Sequence, residues 1–395
     1  MLFLCFTAIF LIIYFHHHAL TAILLLEPPM TCRLLILALA GLALLGCEPP
    51  QPIRIGFLGG LSDRASDVGE AGRNGVQLAL EQRNAAGGVH GRPLELVARD
   101  DAQTREIAAK GANELIEAKM EAIVGPFASA MAAAALPHIN RKQVVMVSPT
   151  ITSMDFYGND DYLFRINRTT RDNAHDYARR LFAQGQRRVA VAYDLRNRSF
   201  TESWFREFES AFSGLGGRTV AAVTFESRPD ADFGEVMRTM LAGEPDGLMF
   251  VAAAIDLTRL CQQAKLQAPQ MPIAAAEWAA SEKLIELGGK ALEGLVIVQA
   301  FDRDDQSEHY QAFRSAYFKR FQREPGYSSV LAYDAATALF DAMERRGADE
   351  TLKQALVRYA PFQGLQQQIA FDANGDTPRT VYFTQIRDGR YVLLE

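Results

Sequence analysis

Residues 121–149 read EAIVGPFASAMAAAALPHINRKQVVMVSP, and the alternation within this stretch sets the fold. Ala122-Ile123-Val124 is a short apolar run closed by Gly125-Pro126. A helical stretch follows from Ser129. A second apolar run, Val144 to Val147, closes at Ser148-Pro149. Both runs are continuous rather than alternating, the pattern of strands buried on both faces. Strand, helix and strand in this order imply a parallel sheet covered by helices.

The same alternation runs outward in both directions. Upstream, IRIGFLGG from Ile53 reads as a strand, and GEAGRNGVQLALEQRNAAGG reads as a helix stopped by Gly87-Gly88. GRPLELVARDD is a strand and TREIAAKGANELIEAK a helix. Downstream the series repeats from residue 168 to 301, through the strands RRVAVAYD, RTVAAVTFE, DGLMFVAAA, MPIAAAEW and EGLVIVQAF and the helices between them. Two long helical stretches follow, then a tail, QQQIAFDANGDTPRTVYFTQIRDGRYVLL, of two or three antiparallel strands with Asn-Gly and Asp-Gly turns. No low-complexity linker separates the halves. The expectation is an α/β protein of two Rossmann-like lobes with parallel central sheets, several short crossovers and a cleft between the lobes. Residues 53–168 with 300–358 form lobe 1, and 169–299 with 359–395 form lobe 2. Ligands of such sheets sit outside the carboxyl ends of the strands.

Composition fits this reading: 49% hydrophobic and 22% charged residues are globular values. A net charge of −6 lacks the phosphate-neutralising excess of a nucleic-acid binder. Dinucleotide, P-loop, zincin and nucleophile-elbow motifs are all missing, so no enzyme activity, cofactor or metal is expected. Asp100-Asp101, without a base or metal partner, reads as a helix-capping pair. Residues 1–29 hold broken apolar spans, short of the about 20 residues a spanning helix needs, and read as an overlong start or leader. Residues 30–47 read as a signal peptide, with a basic Arg33 before an apolar core from Leu34 to Leu45. Leu44-Leu45-Gly46-Cys47 resembles the lipobox of bacterial lipoproteins, which implies lipidation at Cys47 and a stiff spacer over 48–52. Cys261 is then the single cysteine left after Cys47, unable to form an internal disulfide and expected to be a buried small hydrophobe.

The residues just after each strand carry the functional signal. Ser129 opens a helix, where it either caps the helix or offers a hydroxyl and free N–H groups to a carboxylate. Thr150 and Thr152 follow the next strand in a hydroxyl-rich turn, which either bonds locally or contacts a small polar ligand. Glu277 and Trp278 follow the small-residue strand PIAAA. A carboxylate desolvated there needs a cationic partner, and a ligand ammonium would serve, with Trp278 covering the site. Phe200, near Asn197 and Thr201, stands open between walling a ligand side chain and ordinary helix packing.

From about Ile53 onward the chain resembles a type I periplasmic-binding protein of the leucine/isoleucine/valine-binding kind. IGFLGGLSD, GVQLALEQRNAAGGVHGRPLELVARDDA, AIVGPFASA, MVSPTITS and AYDAATAL match that family in order. The resemblance implies that Ser129 and Thr152 hold the α-carboxylate of an amino acid and Glu277 its α-ammonium. It implies a monomeric, extracytoplasmic component of an ABC importer that closes on its ligand and hands it to a membrane permease. A ligand-sensing lipoprotein regulator of the same fold, or a binder of an amide or aromatic acid, stands as the alternative. Val68 and Ala253 or Ala254 lie where some relatives have aromatics, and the cysteines that some relatives pair near Gln103 and Ala128 are absent. The side-chain pocket is therefore expected to differ.

Overall fold

The computed structural model describes residues 50–62 and 66–394. The expectations for the leader, the signal peptide and Cys47 fall outside the described residues. Residues 52–395 form one compact unit with its own apolar core.

Two separate sheets organise that unit. The first has the order β2-β1-β3-β4-β5, all parallel: β1 Ile53–Gly59, β2 Leu94–Asp100, β3 Ala122–Val124, β4 Val145–Ser148 and β5 Leu163–Arg165. The second has the order β14-β13-β10-β9-β8-β6-β7. Here β6 Arg188–Asp194, β7 Arg218–Phe225, β8 Gly247–Val251, β9 Ile273–Ala275 and β10 Val296–Gln299 run parallel. The last two strands, β13 Tyr382–Arg387 and β14 Arg390–Leu393, add on antiparallel at one edge. The two-lobed α/β fold with parallel central sheets is thus the fold observed. The strands are short and wholly buried where helices cover both faces, as β3, β4, β8 and β10 are.

One strand escaped the sequence reading. β5 is three residues long, Leu-Phe-Arg, and its register comes from β4 rather than from its own pattern. The Asp100-Asp101 expectation is also corrected. The helix Arg105–Glu117 begins at Thr104 with no side-chain cap. Asp100 instead accepts from the backbone of Leu61 and Ala102, each at 2.8 Å, and from the Ser62 hydroxyl. Asp101 accepts from the Gln103 backbone at 2.9 Å. The pair fastens loops after β1 and β2 rather than a helix end.

The chain passes between the sheets three times: after β5, after β10, and again before β13. Buried arginines pin these crossovers together. Arg165, at the end of β5, donates through Nε to Asp376 at 2.7 Å and through Nη1 to the Ser153 carbonyl at 2.9 Å. Arg379 donates to the Ala300 carbonyl at 3.0 Å and to Asp334 at 3.1 Å. Charges this deeply buried persist because each is paired and hydrogen-bonded.

The C-terminal segment is shared between the lobes. A short hairpin, β11 Phe362–Gln363 with β12 Gln368–Ile369, lies by the helix Tyr327–Arg345, where the Leu365 N–H donates to Asp334 at 2.8 Å. That helix packs on Ser66–Ala85 beside the first sheet. The final two strands join the second sheet. Asp388-Gly389 makes their turn with φ of 49° and 69°, the left-handed pair a two-residue hairpin favours.

Candidate functional site

The cavity that matters lies between the lobes at the carboxyl ends of both sheets. Ser129, Thr150, Thr152, Phe200, Glu277 and Trp278 all line it. The first three follow β3 and β4; the others follow β6 and β9. The structure therefore brings all six onto one wall-to-wall site, three from each lobe.

Local backbone explains the first-lobe side. Gly125 turns with φ of +115°, and a Cβ there would meet the Leu58 carbonyl at 1.9 Å, so a side chain is excluded. The turn delivers Phe127 over Gly72, where a Cβ would lie 2.1 Å from the phenyl ring. Ser129 is the first residue of its helix, and the capping position is Ala128, which has no side-chain cap. The capping reading of Ser129 is thus not realised, and the residue lines the cavity. Thr150 donates to the Phe127 carbonyl at 2.7 Å. Thr152 is held from the other lobe: the Thr170 N–H donates to its carbonyl at 2.7 Å, and the Thr170 hydroxyl donates to its Oγ1 at 2.9 Å. With its oxygen accepting from Thr170, the Thr152 hydroxyl keeps its own proton to donate.

The second-lobe side centres on Glu277, which is 8% exposed and starts a 3-10 turn directly after β9. Asn173 Nδ2 donates to Oε1 at 2.7 Å, and Trp204 Nε1 donates to Oε2 at 3.3 Å. Burial pushes its carboxyl above the usual range, opposed by a backbone N–H, by Asn173, by the charge of Arg168 and by Trp204. A buried acid with two neutral donors is short of positive charge. Phe200 meets Trp278 edge to face at 6.0 Å, and it also belongs to the core cluster under the second sheet, so it both packs and lines.

Direct bonds join the lobes around the cavity. Tyr327 donates to the Trp278 carbonyl at 3.1 Å. Ser281 donates to Asp67 at 2.5 Å, and Ser153 donates to the Ser199 carbonyl at 2.6 Å. The arrangement is a closed one.

Sequence reasoning missed Asn167, Tyr327, Val298 and Ala300, which also line the cavity. Asn167 follows the strand that went unread. Tyr327 comes from a helix remote in sequence, where no local signal exists. Thr201, noted beside Phe200, is structural: its hydroxyl donates to the Asp194 carbonyl at 2.8 Å. The aromatic walls of the cavity are Phe127, Phe200, Trp278 and Tyr327, whereas Val68, Ala253 and Ala254 are not in its lining. Cys261 is buried and free, its thiol pushed up to about 12 by burial, as befits a packing residue.

Comparison with known proteins places this geometry. The periplasmic binding protein family matches residues 52–390. The leucine-, isoleucine-, valine-, threonine- and alanine-binding protein of Pseudomonas aeruginosa is 24% identical over 332 residues, covering 82% of this chain and 87% of that protein. The leucine binding protein LivK of Thermotoga maritima superposes with a TM-score of 0.80 at 25% identity, covering 87% of this chain and 98% of the other. LivJ of Streptococcus pneumoniae, solved in complex with isoleucine, gives 0.79 at 25% identity, covering 86% and 98%. These relatives are binding proteins rather than enzymes. The chain belongs to the periplasmic binding protein family.

Proposed function

We propose that this chain binds an α-amino acid, branched-chain or related, in the interlobe cavity, as the lipid-anchored, extracytoplasmic binding component of an ABC importer. The observation that carries the reading is the placement of Glu277 opposite Ser129 and Thr152. A buried carboxylate short of positive charge faces, across one cavity, a helix N-terminus with two hydroxyls. An ammonium and a carboxylate on one small molecule satisfy both. The apolar remainder, Phe127, Phe200, Trp278 and Val298, suits an uncharged side chain. Relatives named for leucine, isoleucine and valine support the same class.

The anchor rests on Leu44-Leu45-Gly46-Cys47. Two acyl chains at Cys47 hold a protein at a membrane where one would not, and tethering raises its effective concentration at the permease. Metabolic labelling with a fatty acid tests this; label retained by a Cys47→Ser variant removes the anchor from the account.

Binding has a built-in reporter. The chain has 2 tryptophans, and both serve the site: Trp278 lines the cavity and Trp204 donates to Glu277. Titrating stripped protein with leucine, isoleucine, valine, threonine and alanine is expected to change tryptophan emission saturably for at least one of them. No change with any, in folded protein, favours an amide or aromatic-acid ligand. Loss of amino-acid uptake in cells lacking the chain distinguishes an importer from a ligand-sensing regulator.

A further inference from the structure

We propose that Asn173 and Arg168 are positioning residues for Glu277, aiming its carboxylate and stabilising its charge through a chain of hydrogen bonds that begins on the first crossover. The inference rests on the reading of Glu277 as the receptor for the ligand's cation.

The chain of contacts is continuous. Arg168 lies in the crossover between β5 and the helix Thr170–Ala183. Its Nη2 pairs with Asp176, in the second turn of that helix, which fixes the guanidinium. Its Nε donates to Asn173 Oδ1 at 2.5 Å, and Asn173 Nδ2 donates to Glu277 Oε1 at 2.7 Å. The two ends of the amide are thereby distinguished. With its oxygen against a guanidinium, its nitrogen must face the acid; the flipped amide would set oxygen against carboxylate and nitrogen against a cation. A guanidinium polarising an amide strengthens the bond that the amide then gives, more so away from water. Asn173 is 1% exposed, so no solvent substitutes for either contact.

The helix start makes this geometry stiff. Thr169 and Asp172 form a reciprocal capping box, which sets the first turn and hence the direction of Asn173. The second carboxylate oxygen is fixed by Trp204, whose ring meets Tyr177 edge to face at 5.4 Å and stacks on Phe208 at 5.3 Å.

Of the groups that bear on Glu277, Arg168 brings the positive charge. From the helix that carries Asn173 comes Tyr177, whose hydroxyl donates to the Ala275 carbonyl and accepts from the Val298 N–H at 2.8 Å. From the first lobe comes Tyr327, donating to the Trp278 carbonyl. Burial holds both phenols well above their usual range, so both stay neutral. Trp204 and Asn173 are neutral donors. Arg168 is the cation whose charge bears on Glu277, and it acts through Asn173 without entering the cavity wall.

The test reads Glu277 directly, with and without ligand. Protein from Glu48 onward, carrying ¹³C-carboxyl glutamate, is titrated by NMR, with Glu277→Gln assigning the resonance. In Asn173→Ala and in Arg168→Gln the midpoint is expected to rise by about one pH unit relative to wild type. Affinity for the best amino acid of the panel is expected to fall about tenfold, with the loss deepening as pH drops, because the acid protonates earlier. An unchanged midpoint in Arg168→Gln of native secondary structure and wild-type melting temperature overturns the proposal, whatever the behaviour of Asn173→Ala. If wild type binds no amino acid, the functional reading fails, and the shifted midpoint still decides the relay.

Discussion

Asn197, at the start of a second-lobe helix, accepts a hydrogen bond at 3.0 Å from the backbone N–H of Ala130, in the first turn of a first-lobe helix. The bond spans the cleft and ends on the helix whose N-terminus borders the cavity. It occupies one free N–H of that helix and ties the lobes beside the proposed carboxylate receptor.

Breaking that bond should therefore loosen closure more than stability. Asn197→Ala is expected to weaken ligand binding by about 1 kcal/mol, the ordinary net value of one hydrogen bond. Small-angle scattering of the ligand-free variant should show a larger radius of gyration than wild type. Wild-type affinity and wild-type scattering together would remove Asn197 from the closure.

Glu277 makes a pH-dependent prediction for the empty protein. Its carboxyl sits above 4.5 in the fold because of burial. A raised carboxyl means that the folded state binds the proton more tightly, so stability falls as pH rises from the unfolded value through the folded one. Glu277→Gln should thus melt higher than wild type at pH 7, with the gain shrinking toward pH 4, while binding amino acids more weakly. A variant that melts lower than wild type at pH 7 would mean the acid is already compensated.

Asp194 offers the same logic away from the ligand. Burial raises it to about 6, against two backbone N–H donors, Arg196 and Ser227. Asn keeps the accepting Oδ1. Asp194→Asn is expected to stabilise the fold at pH 7 by about 1–3 kcal/mol, with the gain lost between pH 6 and the ordinary carboxylate value of 3.8. Urea unfolding at pH 3.5 and 7 measures it; equal effects at both would refute the assignment.

The crossover pins carry the largest stability effect. Arg165→Ala strands Asp376 in the interior and removes the contact between the first and third crossovers. A loss of about 3–5 kcal/mol is expected from denaturant midpoints. A loss under about 1 kcal/mol would show that the pair is relieved by solvent.

Much of this was legible in the sequence, for physical reasons that also mark the limits. Strands such as Val145–Ser148 and Gly247–Val251 are buried on both faces, so continuous apolar runs betray them. Ser129, Thr152 and Glu277 stand out because chain position after a strand maps onto position at the sheet's carboxyl edge. Contacts made across the fold leave no such trace. Asn173 and Trp204 meet Glu277 from 104 and 73 positions away, each inside a helix where polar and aromatic residues are ordinary. Leu163–Arg165 was too short to read, and Asn167, which follows it, went with it. Asp100 looked like a cap from spacing alone, yet its partners lie in the loop after β1.

The central claim is that the cavity holds an α-amino acid by both its charged ends, with Glu277 on the ammonium. Calorimetric titration tests it most directly, using protein from Glu48 onward, unfolded and refolded to strip carried ligand, against a panel of amino acids. Glu277→Ala runs beside the wild type. The account predicts saturable heat with at least one aliphatic amino acid, and a loss of about 2–5 kcal/mol in the variant. Silence across the panel from folded wild type, or equal affinity in Glu277→Ala, would contradict it.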